Sequence, residues 1–472
     1  CHQRASKMAK KEICVIGAGG SGLTAVKQCK DEGHTVTCYE LEARPGGIFN
    51  WGEDKNGVYD NTILTISASL MCFSDMPAKE GVYWTHAEYL QYMIAYAAKF
   101  DILKNVEFKT KVENVKRLEN GKWRVTARSA TSGVKTKDFD SVCVSSGNFQ
   151  IGKMPQIPGL SESGIEIQHS TVYKNADQFK GKNAVIVGLG ESGADLAREI
   201  SDAAKETTVA LRSLPCVFPR LPNYVSPTDG YTFRSHHYLY TRELSARFGI
   251  TYDEHYDGKC FGIQSRIARV ALTGALCLAV WLHMLFLMFV MGPINLVKNA
   301  AGLGPKMDSM RQPMDKKRCD FDSPASKQIS DTVDAWYRLN GGKYFGMMLF
   351  YPFKFLVKNA CFMPNLIAKK FKMNCSGLDK VVGKTVYYKD GSKSENVDII
   401  MFCTGYKDHF PFFDDKKLQD FPAAGVRGLY RHCFRPEVGK SLCYIGWVRP
   451  ISGGAFCGVD QQGPTMAVLL GS

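Results

Sequence analysis

The stretch Ile13-Cys14-Val15-Ile16-Gly17-Ala18-Gly19-Gly20-Ser21-Gly22 decides how this chain is read. Four apolar residues in a row look like a fully buried parallel strand. They run into a G-x-G-x-x-G turn, and a helical stretch follows from Leu23 to about Asp31. In such a turn Gly17 makes the tight bend, Gly19 lets backbone N–H groups approach a pyrophosphate, and Gly22 lets helix and strand pack closely. The helix N-terminus then offers partial positive charge to the phosphates. After Gly33, Thr35-Val36-Thr37-Cys38-Tyr39 reads as a second strand. Glu40, at its end, is placed to accept hydrogen bonds from a ribose.

The construction recurs about 170 residues on. Asn183-Ala184-Val185-Ile186-Val187 is a strand, Gly188-Leu189-Gly190-Glu191-Ser192-Gly193 the loop, and Ala194 to about Lys205 the helix. The strand Thr207-Thr208-Val209-Ala210-Leu211 ends on Arg212, not on an acid. A carboxylate would repel a 2′-phosphate, whereas Arg can clamp it with two charge-assisted hydrogen bonds. The first loop is therefore expected to bind a nucleotide with a free ribose hydroxyl and the second NADPH, with Gly188, Gly190, Ser192, Gly193 and Arg212 at the second. The bland alternative is that Arg212 is only a solvated cation at a strand end. Two such loops call for two nucleotides, and a nicotinamide donor facing a flavin is the simplest chemistry that uses both.

At 472 residues the chain is long enough for two domains, and 45% apolar with 22% charged residues is ordinary globular composition. The formal charge of +14 is distinctly basic. The cations are scattered and no nucleic-acid motif accompanies them, so phosphate-bearing cofactors or an anionic membrane surface account for the charge instead. Sixteen cysteines include no Cys-x-x-Cys pair, which points to free buried thiols and away from a zinc ribbon or a thioredoxin-like site. His236, His237 and His255 match no zinc spacing, and no metal site is expected. Met8 reads as a natural start, the seven residues before it as extraneous, and the abrupt end at Ser472 as compatible with a missing C-terminal piece.

Beyond the loops, the sequence resembles the flavin-containing monooxygenase family from Lys11 to about Gln462. Glu40-Leu41-Glu42-Ala43-Arg44-Pro45-Gly46-Gly47 is similar to the family's acid-then-Gly-Gly element, with Phe49 where a Trp is usual. Met401-Phe402-Cys403-Thr404-Gly405-Tyr406 is similar to its Phe-Ala-Thr-Gly-Tyr element, with Cys403 in place of Ala. Asp140-Ser141-Val142-Cys143-Val144-Ser145-Ser146-Gly147-Asn148 reads as the earlier counterpart, and hairpins at Asn120-Gly121 and Asp390-Gly391 precede the two connecting strands. In the family's Phe-x-Gly-x-x-x-His-x-x-x-Tyr stretch, His169 and Tyr173 match, but Ser163 and Ile165 replace Phe and Gly, and Gly164 is displaced by one. The segment Leu64-Thr65-Ile66-Ser67-Ala68-Ser69 lacks the Asn that many animal members place beside the flavin. Thr65 stands nearest that position and Ser67 next, as the candidate catalytic hydroxyls. The other reading of this hydroxyl run is a plain turn against the FAD.

The resemblance implies an α/β fold of two Rossmann-like dinucleotide-binding domains, the smaller inserted in the larger, with a hydrophobic helical insertion. The expected ranges are 9–178 and 395–472 for the FAD domain and 179–394 for the NADPH domain, with an insertion at about 214–330. It implies that NADPH reduces FAD, that dioxygen forms a C4a-hydroperoxyflavin, and that this oxygenates a nucleophilic amine or sulfide. No protein acid–base dyad is needed for that. A Baeyer–Villiger monooxygenase, an NADPH oxidase and a disulfide reductase share parts of the pattern. Tyr173 in place of Trp disfavours the first, and the absence of a Cys pair excludes the last. An inert membrane-bound nucleotide sensor is the rival from another class.

Residues 270–291 carry no formal charge and are apolar apart from Thr273 and His283, a run long enough to span a bilayer. A single crossing would place the two parts of the nucleotide domains on opposite sides of the membrane, because residues 398–406 and 446–455 must return to them. A helix or hairpin sunk into one leaflet, with Lys354, Lys358, Lys369, Lys370 and Lys372 toward anionic head groups, meets both constraints. A buried helix in a soluble insertion is the alternative. The expected location is the cytosolic face of a membrane, the endoplasmic reticulum, or otherwise the cytoplasm. Homo-oligomerisation and the identity of the substrate stay open.

Overall fold

The computed structural model describes residues 10–53, 56–66, 68–78, 83–212, 216–218, 356–359, 362–421 and 425–447, with the isolated positions 282 and 290. Two five-stranded parallel sheets organise them. In the first, Glu12–Ile16 lies between Thr35–Tyr39 and Ser141–Val144, with Val106–Glu107 beyond the former and Leu442–Tyr444 beyond the latter. In the second, Asn183–Val187 lies between Glu206–Ala210 and Ile399–Phe402, flanked by Lys372–Asn374 and Glu166–His169. Both central strands are nearly solid apolar runs, buried from both faces as parallel strands must be.

Sheet membership extends the second unit beyond the range expected from sequence. Glu166–His169 and Ile399–Phe402 lie outside 179–394 yet hydrogen-bond within the second sheet. Among the described strands of this sheet, Glu206–Ala210 is followed in sequence by Lys372–Asn374, and the expected insertion at 214–330 falls between them. Two crossing segments tie the sheets together: Ile151–Gly152 pairs antiparallel with Tyr406–Lys407. The hairpin turns at Asn120-Gly121 and Asp390-Gly391 are present, each glycine with φ near +80°. The turn at Gly121 joins two strands of an antiparallel three-stranded sheet that covers one face of the first unit.

The helix His86–Lys99 closes the other face. Thr85 and Glu88 bond reciprocally at its start, a capping box that fixes its first turn. Its Tyr89, Leu90, Met93 and Tyr96 pack into the same core as Phe49, Leu64 and Phe73. Nine of the described cysteines are free thiols, and burial pushes those of Cys403 and Cys433 up to about 12. Among the described residues no helix is long and apolar enough to cross a membrane. The apolar run 270–291 apart from positions 282 and 290, the histidines at 236, 237 and 255, Ser67, and the segment 450–455 lie outside the described residues.

Candidate functional site

Each sheet carries the same cradle at the C-terminal end of its central strand. Gly17 and Gly188 both take φ +100°, a conformation that L side chains rarely adopt. The Gly17 N–H donates to the Tyr39 carbonyl at 2.8 Å, and the Gly188 N–H to the Ala210 carbonyl at 3.0 Å. A Cβ at Gly17 would stand 2.7 Å from the Ser145 carbonyl oxygen, and one at Gly188 2.6 Å from that of Cys403. Each central strand therefore turns against the end of its connecting strand, and only a residue without a side chain passes. The third glycines behave alike. A Cβ at Gly22 would sit 1.8 Å from the Gly17 oxygen, and one at Gly193 2.2 Å from the Gly188 oxygen.

The helices that follow, Gly20–Asp31 and Glu191–Ala203, begin on Gly19 and Gly190, caps that carry no side chain to occupy the first N–H groups. Those donors and the positive end of each helix dipole are left for an anionic ligand. At the first cradle, Gly46 and Gly47 fold back over the loop with φ +127° and +54°. The Gly46 N–H donates to the Ala18 carbonyl at 3.0 Å, and a Cβ at Gly47 would come within 3.1 Å of the Gly19 Cα. Phe49 follows, packed edge-on against Tyr89 at 4.8 Å. The Ser146 hydroxyl, in the wall beside Gly17, is buried without a hydrogen-bond partner. Bare glycine backbone, a helix N-terminus capped by glycine and an unsatisfied hydroxyl together fit a dinucleotide pyrophosphate.

The ends of the second strands are where the cradles part. Glu40 is 5% exposed, and its carboxylate accepts from the N–H of Ala18 at 2.5 Å and of Glu42 at 2.8 Å. Burial raises its pKa above the usual carboxylate range, while the backbone donors pull it partly back. The buried Leu211 stands where Glu40 does, and Arg212, one residue further on, is exposed with its stem against Gly377. Thr404, Gly405 and Tyr406 form the turn beside the second cradle. Thr404 donates to the Lys153 carbonyl, and Gly405 takes φ +84°, matching Gly147 at +85°.

His169 ends the strand paired with Ile399–Phe402, and its ring lies over Gly152, where a Cβ would meet it at 2.4 Å. It packs edge-on against Tyr406 at 5.4 Å, and burial lowers its pKa. The displaced glycine before it is explained locally. Gly164 takes the left-handed position of a turn in which the Ser163 hydroxyl donates to the Leu160 carbonyl and accepts from the Ile165 N–H. Ile165 fills the core of the second unit. Thr65 is half-buried and follows the buried Leu64, whose N–H donates to the Trp84 carbonyl.

A family model described as flavin-binding monooxygenase-like matches residues 10–259 and 353–471. The chain belongs to that family. Among relatives of this flavin-binding monooxygenase-like protein is the 4-hydroxybenzoate brominase (decarboxylating) of Marinomonas mediterranea. It is 32% identical over 465 residues, covering 98% of this chain and 74% of the relative. The flavin-containing monooxygenase 5 of Homo sapiens is 27% identical over 470 residues, covering 94% and 70%. Among solved structures, the S-allyl-L-cysteine S-oxygenase of Allium sativum aligns with TM-score 0.58 at 18% identity, covering 98% and 77%. The flavin-containing monooxygenase of Stenotrophomonas maltophilia aligns with TM-score 0.56 at 16% identity, covering 98% of each chain. These two likenesses establish a shared fold.

Three features escaped the sequence reading. The Ser145–Ser146 wall was visible as a counterpart of Thr404–Gly405, but not as part of the cradle. The buried acids Asp195 and Glu199, and the tyrosines that meet them, left one legible trace: acids four apart on the helix face that should have been apolar.

Proposed function

We propose that this flavin monooxygenase holds FAD at the Gly17 cradle and NADPH at the Gly188 cradle, and transfers one oxygen atom of dioxygen to a nucleophilic N or S atom. The second oxygen atom leaves as water. The observation that carries the assignment is the contrast between a buried carboxylate, Glu40, and an exposed guanidinium, Arg212, at otherwise matching cradles. Glu40 suits a free ribose diol, and Arg212 a ribose 2′-phosphate. When bound, the flavin supplies the oxygen chemistry, and the protein binds, orients and excludes water. Gly19, Gly46 and Gly47 let backbone approach the pyrophosphate, and Phe49 closes the first cradle. Thr65, with Ser67, is assigned the hydroxyl position toward the flavin.

A second reading, oxidation of a halide ion, is favoured by one observation. The brominase relative is 32% identical to this chain, above the 27% of the human monooxygenase. Bromide is itself a soft nucleophile, so the same oxygen transfer would serve. Association with a membrane surface through residues 270–291 belongs to the proposal, and complete release by a carbonate wash would refute it.

The test begins with release of the flavin by heat and its identification by chromatography. NADPH is then mixed with the anaerobic protein, oxygen is admitted, and products are measured with a tertiary amine, with a dialkyl sulfide, and with bromide plus 4-hydroxybenzoate. An N- or S-oxide formed in step with NADPH consumption supports the first reading, and a brominated phenol the second. Peroxide equal to the NADPH consumed under all three conditions would sink both and leave an oxidase.

A further inference from the structure

The helix Glu191–Ala203 buries three charged residues, Asp195, Arg198 and Glu199, at 4%, 2% and 4% exposure. Charge on a core-facing helix stripe is costly unless partners hold it. The partners come from distant parts of the chain. One Asp195 oxygen accepts from the Tyr59 hydroxyl, and the other accepts from the Asn359 amide at 2.6 Å. Glu199 accepts from the Tyr173 hydroxyl at 2.8 Å and pairs with Arg198 at 2.8 Å. The Tyr59 and Tyr173 rings meet edge-on at 5.6 Å.

These contacts bridge the two cradles. Tyr59 lies on the segment that follows Gly46, Gly47 and Phe49. That segment is pinned beside residues 171–174, with the Gly57 N–H donating to the Thr171 carbonyl at 3.2 Å and the Asp60 N–H to the Lys174 carbonyl at 2.9 Å. Asp195 lies one turn into the helix whose first N–H groups frame the Gly188 cradle. A short run of buried residues thus leads from the loop over the first cradle to the helix of the second. Asn359, whose side chain also accepts from the Phe362 N–H at 2.7 Å, joins the chain's return from the intervening segment to the same carboxylate.

We infer that Tyr59 and Asp195 are positioning residues. Their contact sets the placement of the second nucleotide loop relative to the first, and with it the span crossed by hydride from the dihydronicotinamide to the oxidised flavin. This rests on the assignment of FAD and NADPH to the two cradles. A misplacement of about 1 Å in such a geometry costs on the order of a hundredfold in rate without requiring a loss of binding.

Tyr59→Phe removes one oxygen and keeps the ring packed on Tyr173. Asp195→Asn keeps the size but loses the carboxylate that accepts from both Tyr59 and Asn359. Each is compared with the unaltered protein by anaerobic stopped-flow reduction with NADPH, by NADPH titration, and by hydrogen exchange on the flavin-free chain. The expected result is a reduction rate at saturating NADPH at least tenfold lower, a dissociation constant for NADPH changed less than twofold, and flavin content unchanged. In the flavin-free protein, residues 57–62 and the first turns of 191–203 should lose exchange protection together.

An unchanged reduction rate in Tyr59→Phe, or protection lost at 57–62 alone, would overturn the inference. Loss of flavin or of the fold in Tyr59→Phe would make the contact merely structural and would equally overturn it. If the unaltered protein is not reduced by NADPH, the cofactor assignment fails instead. The exchange measurement, which uses no nucleotide, then decides the contact by itself.

Discussion

Substituting alanine at the third glycine of each cradle separates the two nucleotides by experiment. A Cβ at Gly22 would lie 1.8 Å from the Gly17 oxygen and 2.8 Å from its carbonyl carbon. At Gly193 the matching distances are 2.2 Å and 3.0 Å to Gly188. Non-bonded carbon contacts settle near 3.5 Å, so helix and turn must part by roughly 1.3–1.7 Å. Both obstructing atoms are backbone of the turn itself, and no rotamer change relieves them. Overpacking of this kind costs about 1–3 kcal/mol, and here it displaces the N–H groups that face the phosphates. At about 1.4 kcal/mol per tenfold, nucleotide affinity should fall about tenfold to hundredfold, with Gly22 the more severe. The assay is the flavin-to-protein ratio from visible absorbance, followed by an NADPH titration. Gly22→Ala is expected to emerge depleted of flavin, and Gly193→Ala to keep its flavin but bind NADPH weakly. Gly121→Ala, left-handed at φ +82° with nothing within 4 Å, serves as the control. It should lose about 1–2 kcal/mol of stability and neither nucleotide. Flavin lost from Gly193→Ala and kept by Gly22→Ala would refute the order of the cradles.

Arg212→Ala should raise KM for NADPH by an order of magnitude while leaving KM for NADH nearly unchanged, and equal effects on both would remove the 2′-phosphate clamp. Glu40→Gln should weaken flavin binding about tenfold, since a charge-assisted hydrogen bond is worth about 1.5–3 kcal/mol. The same change should leave the melting temperature of the flavin-free protein at pH 7 equal or higher. Burial raises the folded-state pKa of Glu40 above its ordinary value of 4.5, so its ionisation on folding is unfavourable. The native state binds the proton more tightly than the unfolded chain, so this group's contribution to stability falls as pH rises from 4.5 through the raised value. Melting curves of the flavin-free protein at pH 5 and pH 7.5 test it: the difference should shrink in Glu40→Gln, and an identical difference would discard the burial argument.

The cradles were legible because their chemistry is backbone chemistry, written in residues that backbone demands. Gly17, Gly22, Gly188 and Gly193 tolerate no Cβ, so their spacing is forced. The strands around them could be read as buried apolar runs for the same reason. Sheet membership was less legible. Glu166–His169 is a short, half-polar strand, and only its pairing with Ile399–Phe402 places it in the second sheet. Least legible were the contacts across the junction. Tyr59 and Asp195 are 136 residues apart, and no periodicity along either segment announces that they meet.

The same contrast explains why the motif departures leave the architecture intact. Where the family pattern has Phe and Gly before His169, this chain has Ser163 and Ile165. Yet the turn takes a left-handed position at Gly164, Ile165 supplies a core contact, and the Ser163 hydroxyl bonds within the turn. Cys403 replaces an alanine in the second connecting turn, but the interaction that matters there is its carbonyl oxygen against Gly188, which any residue supplies. What such substitutions leave untouched is the position of backbone, and the cradles need little else. Under the proposed assignment the residues near Thr65 would differ in kind, because a hydroxyl in place of an Asn would alter which hydrogen bonds can be made toward a bound flavin. Differences between an amine, a sulfide and a halide as oxygen acceptor are therefore to be sought around Thr65, while the two cradles stay the same for all three.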